Sequence, residues 1–515
     1  MKYQIVDGLN CKKFVQVSEA ESDEMWIYDE IEKVVTRSEY KPFIKSFNKT
    51  ITKSYWFKQH FFPVQFLPDV KRALIPLLEM QGKEMNVEGE ERLLFDVSRI
   101  SFDDYIYNEL KLPKKYDLND EKYMYQPECA FEAIRNKIAR IEVGTGGGKT
   151  MITYLYCRYM LRKVLPQLNT DARKILIVVP RKMLAKQLQD DFAEYDSEMP
   201  ENDRISVQTI YSGAKKIDNA EVVVGTYQSL YEYEQEYYDD FFTLICDEMH
   251  TAKSYSIRNE IFNKMLKMQF AFGMTGTMPK YNTLDYLDVV SIFGDAVHIR
   301  KARQLIDSGV ATPVKLHAIK INYEGKIEEF CKRLKEAGIT GTEKLQEEKR
   351  LFQNMPERNE ILRKLMAGFD GNTVILVDTV SYCELLKNFI NEKFPERPCS
   401  VIHGKTSNDE REQIKKDIEK SDHYVLVATY GTMSTGVSIN KIMNIFFVDG
   451  GKSEIRIKQS IGRGLRLHPE KEFLNVFDFQ DNMKGSSFWN QALERNRIYR
   501  DEGHKILLSN TTIKK

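Results

Sequence analysis

Residues 141–150 read IEVGTGGGKT. An apolar run ends at Val143, a loop of Gly144, Thr145, Gly146, Gly147 and Gly148 follows, and Lys149–Thr150 open the helical pattern MITYLYCRYMLRK. Glycines without a Cβ let backbone N–H groups turn inward around an anion, and a helix N-terminus adds its positive end. A lysine at that point reaches β- and γ-phosphates, and a hydroxyl beside it is suited to Mg²⁺. The strict form of this loop has glycine at the position of Val143, so the match is one residue short.

Working outward, residues 242–250 read FTLICDEMH. A buried strand delivers Asp247 and Glu248 to its C-terminal end, where open α/β sheets place ligands. Asp247 is suited to hold Mg²⁺ and Glu248 to orient and deprotonate an attacking water. Together the two segments imply nucleoside-triphosphate hydrolysis, with ATP and Mg²⁺ as the expected ligands.

The runs Ile175–Val179, Val222–Val224, Phe242–Cys246, Val374–Val377, Tyr424–Val427 and Ile445–Val448 are apolar throughout. They suit strands covered on both faces. Amphipathic stretches such as Arg181–Tyr195 and Glu410–Lys420 separate them. That alternation predicts an α/β fold built on parallel sheets. Two such series are expected, preceded by residues 1–115 as an accessory domain of short mixed elements.

The chain has 515 residues, 42% hydrophobic and 30% charged, which excludes long disorder and fibrous repeats. Lys+Arg and Asp+Glu both number 76, so a nucleic-acid partner has to be met by local basic surface. Seven scattered cysteines with no C-x-x-C pair argue against a disulfide framework or a zinc ribbon. The N-terminus lacks an apolar signal core, and no stretch reaches the ~18 apolar residues of a membrane helix. A cytoplasmic protein with no membrane partner is expected.

Residues 459–466 read QSIGRGLR in a helical stretch. Arg463 and Arg466 are three apart and are expected on one helix face, a spacing suited to arginine-finger chemistry on a γ-phosphate. In order along the chain, Tyr125-Gln126, EVGTGGGKT, VVPRKMLAKQ, VVVGTYQSL (222–230), DEMH (247–250), TGT (275–277), VILVDTVSYCELL (374–386), VIHGKTSNDER (401–411), ATYGTMSTGVSI (428–439) and QSIGRGLR resemble the motifs of superfamily-two DExH helicases.

That resemblance implies two tandem RecA-like domains, 116–300 binding ATP and 301–490 as the helicase C-terminal domain; residues 491–515 read as a basic tail from their own arginines and lysines. It implies that Gln126 reads adenine, with Tyr123 stacking where an arginine is more usual. Gly436 would face the nucleotide, and His250 and Gln459 would sense the γ-phosphate. Thr275 and Thr277 would couple hydrolysis to movement. Pro180, Arg181, Thr226, Gln228, Thr379 and Thr429 would touch the nucleic-acid strand.

The layout, YGTMSTGVSI followed by QSIGRGLR, and 292–316 resemble the phage UvsW type of DNA helicase. The resemblance implies a monomer, in the host cytoplasm if of phage origin, acting on branched or single-stranded DNA in recombination, repair or replication. That family's aromatic-glycine hairpin is not recognisable here. Its place holds residues 39–62, and from Arg37 to Phe62 six basic residues alternate with aromatics. Lysines that track phosphates and rings that stack on bases would suit DNA, and a half-buried strand shows the same alternation. An RNA helicase, a restriction-system motor and an ATP switch that does not unwind stay open.

Overall fold

The computed structural model describes residues 1–514 apart from 8–12, 19–23, 45–46, 58–59, 212–218, 252–260, 282, 326–328, 434–438, 452 and 484, and apart from the side chains of 39–49, 408 and 455. It divides into two compact units. The first comprises Met1–Val143 and Gly148–Arg300, and the second comprises Lys301–Lys515, with Gly144–Gly147 grouped to it.

The first unit holds a seven-stranded sheet. Its order is Ala296–Arg300, Ile138–Val143, Phe270–Thr275, Phe241–Asp247, Lys174–Val179, Val222–Thr226 and Val207–Ile210. Every pairing is parallel. Strands such as Phe270–Thr275 and Val222–Thr226 are buried at every residue, as their unbroken apolar character requires. The middle strands end together at Val143, Asp247 and Thr275, so the phosphate-loop sequence, the acidic pair and the TGT segment meet along one edge.

The second unit repeats this plan. Its order is Cys399–Ile402, Val425–Thr429, Thr373–Val377, Asn444–Phe447, Leu474–Asn482, Val314–Glu324 and Ile506–Lys514, again all parallel. The fold is therefore α/β with two tandem parallel-sheet domains of RecA-like architecture. The segment expected as a basic tail, 491–515, is built into the fold as far as residue 514. Helix Ser487–Asp501 packs on the sheet, and Ile506–Lys514 is its edge strand. Arg495 is buried and paired with Asp478 at 2.8 Å, so it offers no positive surface. The β-branched run Thr511, Thr512 and Ile513 is the strand signal in that segment.

The N-terminal segment forms a mixed four-stranded sheet, ordered Phe61–Pro63, Lys13–Val17, Tyr3–Asp7 and Val87–Glu88. Helices Trp26–Val35 and Leu67–Glu79 complete its core, in which Tyr286, Leu287 and Val290 of helix Leu284–Phe293 are also buried. An antiparallel hairpin, Thr36–Ile44 with Phe47–Ser54, leaves this module. Lys53 Nζ at its base pairs with the buried Asp288 carboxylate at 2.7 Å, and the Tyr55 hydroxyl donates to the same group at 3.3 Å. Arg72 pairs with Asp295 at 2.6 Å. Among the described residues, no helix is long and apolar enough to cross a membrane.

Candidate functional site

Strand Ile138–Val143 ends at the glycine-rich loop, and helix Lys149–Tyr159 begins directly after it. Gly146 (φ 86°) and Gly148 (φ 72°) lie in the left-handed region, which a side chain would strain. The Gly147 N–H donates to Gly144 O at 3.1 Å and closes the turn. A Cβ on Gly148 would also collide with the Gln126 amide, so the expected adenine reader packs directly on the loop and is buried. Tyr123 is half-buried, and the Lys122 ammonium covers its ring at 4.9 Å.

The acidic pair follows strand Phe241–Asp247. Asp247 accepts the Glu248 N–H at 2.9 Å, and Glu248 adopts φ +50°. A left-handed non-glycine residue costs about 1–2 kcal/mol, and here the turn directs the Glu248 carboxylate back toward the loop. Glu248 Oε1 stands 3.4 Å from Lys149 Nζ, and Oε2 stands 3.3 Å from His250 Nδ1. His250 Nδ1 is 2.7 Å from Thr275 Oγ1 and 3.4 Å from Thr277 Oγ1. Thr275 Oγ1 in turn accepts the Thr277 N–H at 3.1 Å. Lys149, Glu248, His250, Thr275 and Thr277 thus form one continuous polar chain, whose last three members are almost wholly buried.

Burial perturbs the electrostatics at the head of this chain. Burial and the adjacent Glu248 charge push the Asp247 carboxyl up to about 6, with Lys149 opposing. Lys149 is close enough to Glu248 to offset part of this charge. A divalent cation held by Asp247, with the Thr150 hydroxyl one residue past Lys149, would suit that buried carboxylate. The left-handed glycines and the open helix start likewise fit a polyphosphate.

The remaining expected residues divide between the units. Pro180 and the exposed Arg181 follow strand Lys174–Val179, Arg181 preceding helix Lys182–Tyr195. Thr226 ends its strand buried, donating to Ser229 Oγ at 3.1 Å, and Gln228 is exposed. In the second unit, Thr379 caps helix Val380–Lys393 by accepting the Tyr382 N–H at 3.4 Å. Thr429 Oγ1 is 2.8 Å from Thr432 Oγ1. Gln459 and Arg463 lie on helix Glu454–Gly464, both half-buried. Arg466 departs from expectation: the helix ends at Gly464, so it is not on the helix face of Arg463. A Cβ on Gly464 would collide with Leu474 and Ile445, so the last helical residue lies close against the sheet. Gly436 lies outside the described residues.

Two residues near Gln126 carried no sequence signal. Arg300 places its guanidinium 4.3 Å over the buried Tyr125 ring, and His298 stacks on the same ring at 6.2 Å. The partners are far apart in the chain, and only the pairing of the edge strand Ala296–Arg300 with Ile138–Val143 brings them together.

Residues 119–280 match the model of the type III restriction enzyme res subunit family, and residues 357–468 match that of the helicase conserved C-terminal domain. The chain is 29% identical over 398 residues to the ATP-dependent DNA helicase uvsW of Enterobacteria phage T4, covering 75% of this chain and 73% of that protein. The crystal structure of T4 UvsW aligns over 99% of this chain and 100% of that one, at 22% identity and a TM-score of 0.45. S. cerevisiae Dbp5 bound to RNA and ADP BeF3 aligns over 79% of this chain and 95% of that one, at 14% identity and a TM-score of 0.51, a likeness of fold.

Proposed function

The chain belongs to the superfamily-two helicases and is an ATP-dependent nucleic-acid helicase; from that premise we propose that it is a DNA helicase or translocase that unwinds or remodels branched DNA such as forks, Holliday junctions and R-loops. The DNA reading rests on the likeness to the uvsW DNA helicase over three quarters of the chain. A basic hairpin anchored through Lys53 and Asp288 supports a track-binding role for the N-terminal module. Action as a monomer in the cytoplasm, in recombination, repair or replication, completes the proposal.

The observation that carries the chemistry is the unbroken chain from Lys149 through Glu248 to Thr277. Lys149 would exchange its Glu248 partner for the β- and γ-phosphates. Freed from that pairing, Glu248 becomes the base that orients and deprotonates the attacking water, while His250 holds its second oxygen. A Mg²⁺ ion at Asp247 and Thr150 would neutralise phosphate charge when bound. Any change in the position of Glu248 is passed through His250 to the Thr275 hydroxyl, which is hydrogen-bonded to the TGT turn. Arg463 and Arg466 are the proposed arginine fingers, and Gln459 the proposed γ-phosphate sensor.

The test measures ATP hydrolysis and strand separation with single-stranded DNA, forks, four-way junctions, R-loops and RNA. Preferential stimulation and unwinding by branched DNA is expected. Stimulation by RNA alone would make the chain an RNA helicase. Stimulation by DNA without strand separation would make it a translocating remodeller.

A further inference from the structure

A cavity of about 530 Å³ lies within the first unit, where the N-terminal module meets the start of the phosphate-loop strand. Its volume falls in the range of small-molecule sites. The walls include Leu67, Pro68, Leu93, Leu94, Ile138 and Val297. A six-residue strand spans about 20 Å, so the cavity is at the opposite end of that strand from the glycine loop. It is therefore separate from the ATP site.

Three features make it more than an apolar dent. Gln65 lines it, and the side-chain oxygen of this buried residue has no hydrogen-bond partner among the described residues. A buried acceptor left unsatisfied costs about 1–3 kcal/mol, which a ligand donor would recover. Lys137 also lines it and holds a left-handed backbone (φ 56°), with its ammonium donating to Arg92 O at 3.3 Å. Lys13 and Arg92 add positive charge beside it, and both pair with the same carboxylate, Asp7. Lys13 and Arg92 thus share one anion, and the Lys137 ammonium meets a backbone carbonyl. Of the lining acids, Glu90 is taken by Lys71 and Asp295 by Arg72, while Glu91 is exposed. Partial burial and the neighbouring Lys13 and Arg92 charges lower the affinity of Lys137 for its proton, which an added anion would reverse.

We propose that this cavity binds a small amphipathic carboxylate carrying one hydrogen-bond donor. Its apolar body lies against Leu67, Leu94, Ile138 and Val297, its acid meets Lys137, and its donor reaches Gln65. Because Lys137 directly precedes the strand that ends at the phosphate loop, occupancy braces that strand against the N-terminal module. Ala271 N–H, which donates to Lys137 O at 2.8 Å, fixes the same point to the neighbouring strand.

The test uses the full chain and N-octanoylglycine in isothermal titration, with N-octanoylglycinamide (uncharged) and octanoate (no amide N–H) as controls. The acid is expected to bind at least tenfold more tightly than its amide. Lys137→Asn tolerates the left-handed backbone and should erase that preference. Gln65→Leu should weaken N-octanoylglycine about fivefold while sparing octanoate. Leu94→Trp, at a 43%-exposed position, should block all three with the unfolding midpoint unchanged. No binding by the parent chain, or equal binding of acid and amide, would overturn the proposal, as would full affinity in a folded Leu94→Trp variant.

Discussion

The two seven-stranded sheets share one plan but handle buried charge in opposite ways. At the strand ends of the first unit, Asp247 and Glu248 stand beside the Lys149 ammonium, and burial and the Glu248 charge make Asp247 bind its proton well above the usual carboxylate range. In the second unit, Arg358 spans Asp481 with bonds of 2.9 and 3.0 Å and lies 5.2 Å over the Phe479 ring. Arg495 answers Asp478 and donates to two backbone carbonyls at 2.9 Å. Even Asp449, raised by burial, accepts from Asp378 N–H at 3.1 Å and Gln353 Nε2 at 2.8 Å. A buried carboxylate with a raised pKa is a ready ligand for a phosphate-bound metal, whereas a completed network only holds elements in place. The first sheet therefore keeps its perturbed carboxylate where ligand chemistry can use it.

The largest effect that bears on this contrast concerns Glu248. Glu248→Gln should lower the ATP turnover rate about 10²–10⁴-fold while leaving stability close to the parent value. Turnover within a few fold of the parent would remove the general-base role and with it the functional side of the contrast. The second sheet should respond in the opposite sense. Arg358→Met leaves the buried Asp481 carboxylate without its cation, held by the Tyr323 hydroxyl at 2.5 Å, and should cost about 3–5 kcal/mol in denaturant unfolding. Arg358→Met with Asp481→Leu should recover part of that loss. A double variant no more stable than the single one would mean that the pair does more than balance charge.

A third experiment sharpens the electrostatic half. Asp247 is raised, so it is ionised above about pH 6 and progressively protonated below it. Mg²⁺ binding to the nucleotide-free protein should therefore weaken as pH falls through 6, about tenfold per unit once protonation dominates. Glu248→Gln removes one cause of the shift, so its midpoint should move to lower pH. Identical midpoints in parent and variant would sink the coupling. The smallest effect lies at the hairpin base. Lys53→Met strands the buried Asp288 with only the Tyr55 hydroxyl and should cost about 1–3 kcal/mol, with ATP turnover nearly unchanged. Differential hydrogen exchange over 36–54 and 284–293 would locate the loss.

What the sequence alone determined was local and periodic. Unbroken β-branched runs foretold buried parallel strands because only a sheet covered on both faces accepts them. IEVGTGGGKT and DEMH announced a phosphate loop and an acidic pair because left-handed glycines and adjacent carboxylates are readable in single residues. The helix end before Arg466 is not legible in QSIGRGLR, and the close approach of Gly464 to Leu474 and Ile445 exists only in the assembled sheet. The edge strand Ile506–Lys514 is likewise hard to read, because ILLSNTTIK has no clear period and follows a helix rich in arginine. Tertiary structure alone decided which charges were answered. The chain carries 76 positive and 76 negative side chains, and that balance says nothing about where they meet. Arg495 reads as surface charge and is a buried brace, whereas Asp247 reads as one of a common acidic pair and holds a raised pKa. Coulomb energies depend on distance and burial, and residues far apart in the chain acquire both only when the sheets are assembled.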